Sequence, residues 1–307
     1  MMSFSVPISR RSVVLILALL VAVCLIAFPV AWSARLEIWK AQLLSVSGDI
    51  AYKCRNYSIA EKSWRAAILA SSGDNGAQVR ALASHHLGFM LIERGRYTEA
   101  GSFYSRTLAL TRQIYGSNHL ETAKSLNNLA EVYREQHRFP LAEQLMLEAI
   151  RIAKNSNGSD DLLSAKFQNN LAVLYKQQGR NSNAEVLYKS ALDSETKILG
   201  YENPQTAITM RNLGELYRVQ GSYERAEWFL SEALRIDCKT LGKNHSDTII
   251  SMNNLARLYE SKGQFGEAVE LYKEAHQLSK NQFSDNHPTV VAIKENWSHS
   301  LKMLKER

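Results

Sequence analysis

The side chains in this 307-residue chain that could do chemistry recur at a fixed spacing, which limits what they can do together. His119, His245 and His287 lie 126 and 42 residues apart, in corresponding loops of a repeating pattern. Side chains placed that way accept backbone N–H groups at helix starts more readily than they share one metal ion. His85 and His86 are adjacent, and neighbours on a helix diverge by about 100°, so they make a poor ligand pair. Cys54 and Cys238 are 184 residues apart, without C-x-x-C spacing or a set of histidines, which suggests neither a disulfide framework nor a zinc site. No phosphate loop, H-E-x-x-H pair, nucleophile elbow or dinucleotide glycine pattern is present. The expectation is a protein that is not an enzyme, with no metal and no cofactor.

The polar residues that remain ride on a 42-residue period. Leu87, Leu129, Leu171, Leu213 and Leu255 recur without slip, each followed by glycine or alanine. Ala100, Ala142, Ala184, Ala226 and Ala268 keep the same frame, followed four residues later by Tyr104, Met146, Tyr188, Leu230 and Tyr272. Offsets of four mark one helix face, and Gly95, Gly179, Gly221 and Gly263 stand between the two runs. Each unit therefore reads as helix, tight turn, helix, with small residues where the helix axes approach. A hairpin of this kind cannot bury its apolar face alone and must stack on the next. The predicted fold class is all-α, a right-handed α-solenoid of stacked helical hairpins.

These motifs resemble the tetratricopeptide repeat, met in five successive units over roughly residues 80–307. A shorter unit precedes them, marked by Gly48, Ala60, Trp64 and Ala67. The usual repeat of that family is shorter and closes on proline, whereas here a loop such as Tyr-Gly-Ser-Asn-His from Tyr115 recurs. That longer form, with its Asn-Asn-Leu-Ala opening, is similar to the repeats of kinesin light chains. Those proteins carry a heptad coiled coil ahead of their repeats, where this sequence has an apolar segment expected to enter a membrane, so binding to a kinesin heavy chain is not implied.

The resemblance implies that the first helix of each unit lines a concave groove. It also implies that Asn128, Asn170, Asn212 and Asn254 hydrogen-bond the main chain of an extended peptide, an amide offering donor and acceptor together. The alternative is that these amides cap or bridge neighbouring repeats. Lys124, Arg134, Lys166, Lys176, Arg211, Arg218 and Arg257 share the inner offsets with Glu131, Glu135, Glu215 and Glu260. That bias favours a protein or peptide partner carrying acidic residues, through charge-assisted contacts. An ordinary mixed surface with i, i+4 pairing is the competing reading.

Ahead of the repeats, Val13 to Phe28 is uninterrupted apolar sequence, extended without charge to Trp32, long enough for a bilayer of roughly 30 Å. Arg10 and Arg11 just before it hold that end in the cytoplasm. Ala31 and Ser33 offer a signal-peptidase site before Ala34, but the run exceeds the usual h-region. The expectation is a single-pass membrane protein with its repeats on the non-cytoplasmic side; the alternative is a secreted or periplasmic one. Cys24 within the run reads as a small apolar side chain. The formal charge of +7 includes Arg10 and Arg11, so +5 remains for the body, with no dense basic run; nucleic acid is not an expected partner.

The organisation read from the sequence is a cytoplasmic tail (1–12), a transmembrane anchor or signal segment (13–32) and a short degenerate first repeat with linker (33–79). Five 42-residue repeats (80–290) and a C-terminal capping helix (291–307) follow. Its expected function is a membrane-tethered scaffold or adaptor, possible uses including assembly of a membrane or envelope complex. Mass spectrometry of the mature protein is expected to find the apolar segment retained; a mature N-terminus at Ala34 selects secretion instead.

Overall fold

Glycine takes a left-handed backbone without steric cost, and the turns inside these hairpins use it: Gly95, Gly179, Gly221 and Gly263 have φ of 70–74°. The computed structural model describes residues 33–71, 73–157, 162–283, 285 and 287–306. Among these are thirteen α-helices and no strand. The expected tail (1–12) and membrane segment (13–32) lie outside the described residues; among those described, no helix is long and apolar enough to cross a membrane.

The chain forms two compact units that meet in sequence at His137 and Arg138. The first holds α1 (Ser33–Lys53), α2 (Tyr57–Ala70), a single 3-10 turn (Asp74–Gly76), α3 (Ala77–Glu93), α4 (Tyr97–Tyr115) and α5 (Leu120–Glu135). The second holds α6 (Phe139–Asn157), α7 (Leu162–Gln177), α8 (Asn181–Leu199), α9 (Pro204–Val219) and α10 (Tyr223–Thr240). It continues through α11 (Ser246–Ser261), α12 (Phe265–Gln282) and α13 (Pro288–Lys305). Within each unit, helices pack on their neighbours in the chain, and first helices of successive hairpins also adjoin: α1 with α3, α7 with α9, α9 with α11, α11 with α13. This is an all-helical solenoid of stacked hairpins. The last helix starts at Pro288, ahead of the expected 291, because His287 caps it and proline suits the first helical position.

The small residues of the period sit at the helix crossings. Ala60, Ala100, Ala142, Ala184, Ala226 and Ala268 have no exposed surface. A Cβ added at Gly88 would come within 2.9 Å of the Tyr104 ring, and one at Gly214 within 2.7 Å of Leu230 Cγ, so glycine there permits the close approach of two helices.

The connecting loops are also copies. His119 Nδ1 accepts the Glu121 N–H at 3.2 Å, His245 Nδ1 that of Asp247 at 3.2 Å, and His287 Nδ1 that of Thr289 at 3.3 Å. Asn203 takes the same place and accepts from Gln205 at 2.9 Å. Three residues past the cap, Thr122, Thr206 and Thr248 donate to the carbonyls of Gly116, Gly200 and Gly242. The histidines are thus spent on helix N-termini.

Polar residues buried between hairpins hold the second unit in register. Arg211 of α9, 7% exposed at its side chain, places Nη1 3.0 Å from Ser251 Oγ, 3.2 Å from the Asp247 carbonyl and 3.3 Å from Asp237 Oδ2. Ser251 donates to the same Asp237 oxygen at 2.6 Å. Burial pushes the Asp237 carboxyl above its ordinary value despite Ser251 and the Arg211 charge. Arg211→Ala leaves this fully buried group without its cation, and a loss of about 3 kcal/mol is expected in urea unfolding. Asp237→Asn in the same chain is expected to recover part of the loss.

Glu195 of α8 occupies the equivalent place one period earlier, 1% exposed, accepting from Gln205 Nε2 at 3.4 Å. Burial raises its pKa, only partly opposed by hydrogen bonds from Thr209 and Gln205. Because the folded-state value lies above the unfolded one, its contribution is fully present below the unfolded pKa and is lost as pH rises through the folded pKa. Glu195→Gln is therefore expected to raise the melting temperature at pH 7, by about 2–4 °C for each kcal/mol recovered, and to have little effect at pH 4.

Candidate functional site

Because the second asparagine of each Asn-Asn pair lies one position beyond the first, a 43-residue step joins it to the first polar position of the preceding repeat. Asn212 Nδ2 on α9 donates to Asn169 Oδ1 on α7 at 3.1 Å, and Asn296 Nδ2 on α13 to Asn253 Oδ1 on α11 at 3.3 Å. Asn128 Nδ2 on α5 meets His85 Nδ1 on α3 at 3.3 Å. These contacts make a ladder of rungs between first helices. At Asn254 the residue 43 places earlier is Arg211, turned into the stack, and no rung forms. Asn170 is half-buried at the equivalent place on α7. A rung engages one N–H of the amide; the carbonyl oxygen and second N–H of Asn128 and Asn212 keep their capacity for a further partner.

The charged offsets resolve into pairs. Glu215 of α9 is nearly buried, and Arg218 holds it through both oxygens at 2.8 and 2.9 Å, while Arg257 of α11 approaches at 3.1 Å. Burial alone would raise the Glu215 pKa, but Arg218, Arg257 and Lys176 of α7 prevail and hold the carboxyl below its ordinary value. Arg218 Nη1 also donates to Ser261 Oγ on α11 at 2.8 Å. Next to this, Glu260 accepts from Tyr272 Oη at 2.9 Å and stands 3.3 Å from His299 Nε2. In the first unit, Lys124 is exposed and paired with Glu121 at 2.7 Å, and Arg134 lies against Glu135.

The structure thus brings Lys176, Arg218 and Arg257 together around one glutamate. It sends Arg211 inside the stack, and spends Lys124 and Arg134 on neighbouring carboxylates. The basic lead counted along the sequence is largely neutralised on this face.

One feature of the first unit escaped the sequence reading. Asp49, Tyr52, Lys53, Trp64, His86 and Phe89 line a pocket of about 360 Å³ between α1, α2 and α3. Asp49 Oδ1 accepts from Trp64 Nε1 at 2.9 Å and lies 2.7 Å from His86 Nδ1; Tyr52 donates to Glu93 at 2.6 Å. Phe89 is half exposed at the offset that carries Glu131, Val173, Glu215 and Arg257 in other repeats. An aromatic ring in a column that is charged in three other repeats was the available signal, but the first hairpin stands 40 residues from the next instead of 42, which hid its partners. Among the described residues no group of three or more histidine, cysteine or acidic side chains is placed to hold a metal ion.

The tetratricopeptide repeat family model matches residues 79–155, 163–239 and 220–281. Similar solved structures include the nearly identical TPR-like repeats of a kinesin light chain protein from Podosopora anserina, 25% identical, with a TM-score of 0.54, covering 67% of this chain and 97% of that one. BtubC (BKLC) from P. vanneervenii is 20% identical, with a TM-score of 0.56, covering 80% of this chain and 93% of the other. The quorum sensor NprR from B. thuringiensis is 16% identical, with a TM-score of 0.62, over 93% of this chain and 75% of that one. No curated protein matches the chain.

Proposed function

Because the chain belongs to the tetratricopeptide repeat family, we propose that it is a non-enzymatic scaffold whose first helices present a concave groove to an extended peptide or protein segment. The observation that carries this reading is the amide ladder. Its rungs fix the orientation of Asn128 and Asn212 while leaving each an acceptor and a donor, the pair that an extended main chain requires. Asn170 and Asn254 continue the same offset. A Rap protein complexed with competence and sporulation factor shares the fold, and the likeness to the quorum sensor NprR points the same way. The grouping of Lys176, Arg218 and Arg257 supports acidic side chains in the partner, with Glu215 restricting how many.

The leader extends this reading to the membrane. The charge-free run after Arg10 and Arg11 supports a single N-terminal anchor with the repeats on the non-cytoplasmic side, where tethering raises the local concentration of membrane partners. The small residues before Ala34 support release into a secreted or periplasmic form as the second reading.

Crosslinking in native membranes followed by mass spectrometry is expected to identify a protein bound across the first helices. The triple substitution of Asn128, Asn170 and Asn212 by alanine is expected to abolish its capture with helical circular dichroism unchanged. Asn169→Ala, which removes a rung but keeps the Asn212 amide, should retain capture. Full capture by the triple variant overturns the groove assignment.

A further inference from the structure

The pocket of about 360 Å³ in the first unit is lined by rings and carboxylates together. Trp64 of α2 is buried against α1 because Gly48 leaves room for it: a Cβ there would come within 2.5 Å of Trp64 Nε1. The indole N–H is thereby aimed at the next residue, Asp49, which accepts it at 2.9 Å. Tyr52, one turn further along α1, has its ring centroid 5.9 Å from that of Trp64 at an interplanar angle of 42°. Phe89 of α3 stands 6.3 Å from Tyr52 at 70°. Neither pair is a parallel stack, so the three rings form separate walls, and Phe89 is half exposed.

Two carboxylates border these rings. Both contacts of Asp49, to Trp64 and to His86 Nδ1 at 2.7 Å, fall on Oδ1; its Oδ2 has no partner among the described residues. Glu93, exposed at the end of α3, accepts from Tyr52 Oη at 2.6 Å. Burial and the Glu93 charge push the Tyr52 hydroxyl above its ordinary value, so it stays neutral and holds its ring beside that carboxylate. Lys53 is the one lysine or arginine in the lining. With His86 neutral, two carboxylates against one ammonium leave the pocket negative, and aromatic faces attract cations through their quadrupoles.

The pocket also continues the amide ladder. His86 takes the place of Asn128 one period earlier, and Asn128 itself meets the adjoining His85. An extended segment bonded to Asn128 reaches α3 with the side chains that follow.

We propose that this pocket takes the cationic side chain of a lysine or arginine in the bound segment, its charge at Asp49 Oδ2 and Glu93 and its stem against Tyr52, Trp64 and Phe89. The proposal rests on the groove reading and adds to it the chemistry of one partner residue. A free carboxylate oxygen accepts N–H hydrogen bonds, which lysine and arginine offer and a quaternary ammonium does not. The partner is then mixed in charge, acidic toward Lys176, Arg218 and Arg257 and basic where it meets this pocket.

The test is a titration of the full-length protein, in maltoside micelles with nitrogen-labelled tryptophan, following the Trp64 indole signal by NMR. The probes are lysine and arginine blocked at both ends, norleucine blocked in the same way, and tetramethylammonium. A basic residue is expected to shift the signal saturably, and norleucine, which keeps the stem without the charge, is not. Phe89→Leu is expected to weaken binding about fivefold at unchanged melting temperature. Asp49→Asn, which keeps an acceptor for Trp64, is expected to weaken it as well. Lys53→Gln is expected to tighten it, a direction that neither a packing role nor an anion site produces. A blocked residue needs no ladder, so the triple variant of Asn128, Asn170 and Asn212 is expected to bind it as the parent does. A positive titration beside a failed capture experiment sinks the groove alone, and the reverse sinks the pocket alone. No saturable shift with either basic residue, an equal shift with norleucine, equal or tighter binding of tetramethylammonium, or unchanged affinity in both Phe89→Leu and Asp49→Asn overturns the assignment.

Discussion

An alanine with no exposed surface stands at the same place in the second helix of every hairpin, and the distance it allows between helix axes governs everything built on them. With a larger residue at that crossing, Tyr104, Tyr188 and Tyr272 could not fill the space beside it with at most 2% of their surface exposed. Close approach within a hairpin in turn aligns its first helix beside that of the next, and only then can an amide reach across at 3.1 Å. The small residues of the period are thus the origin of the ladder as well as of the core.

Register between hairpins is set by polar groups more than by apolar ones, since apolar contacts tolerate sliding and hydrogen bonds do not. The second unit carries several such devices. Asn212 meets Asn169 along the first helices, Tyr175 and Tyr217 donate to Glu143 and Glu185 beside them, and Arg211 gathers Asp237, Asp247 and Ser251 within the interior. Glu195 and Asp237 show the cost, because burial raises the pKa of both carboxyls. A repeat stack with such couplings transmits a local change mainly to its neighbours, which suits a surface that presents itself to an extended ligand.

Charge on this chain is paired across hairpins in both units. On the face of the first helices, arginine and glutamate alternate across hairpins, so Arg218 and Arg257 converge on Glu215 and little net field survives. At the turns of the first two hairpins, Arg65 and Arg96 share Glu61 and Glu99 in a closed square of ion pairs. Count and position are different properties. A basic residue on a helix tells which face it occupies, whereas its charge is available only if no carboxylate one hairpin away reaches it.

Spacing alone carried much of the architecture: the helix pairs, the turn glycines, the buried alanines and the capping histidines all follow from which residue recurs at which offset. Hairpin formation is local, and its signals lie within one repeat. Which member of an Asn-Asn pair would form a rung, the withdrawal of Arg211 into the stack, and the enclosure of Asp49 by Trp64 and His86 were decided by contacts between different hairpins. Residues 43 apart that share a hydrogen bond, or 15 apart across a hairpin two residues out of phase with the period, have no signature along the chain. The sequence by itself determined a stack of helical hairpins built on a fixed period. Only the tertiary structure decided which polar side chains that stack consumes and which it leaves for a partner, because pairing depends on distance in space across repeats.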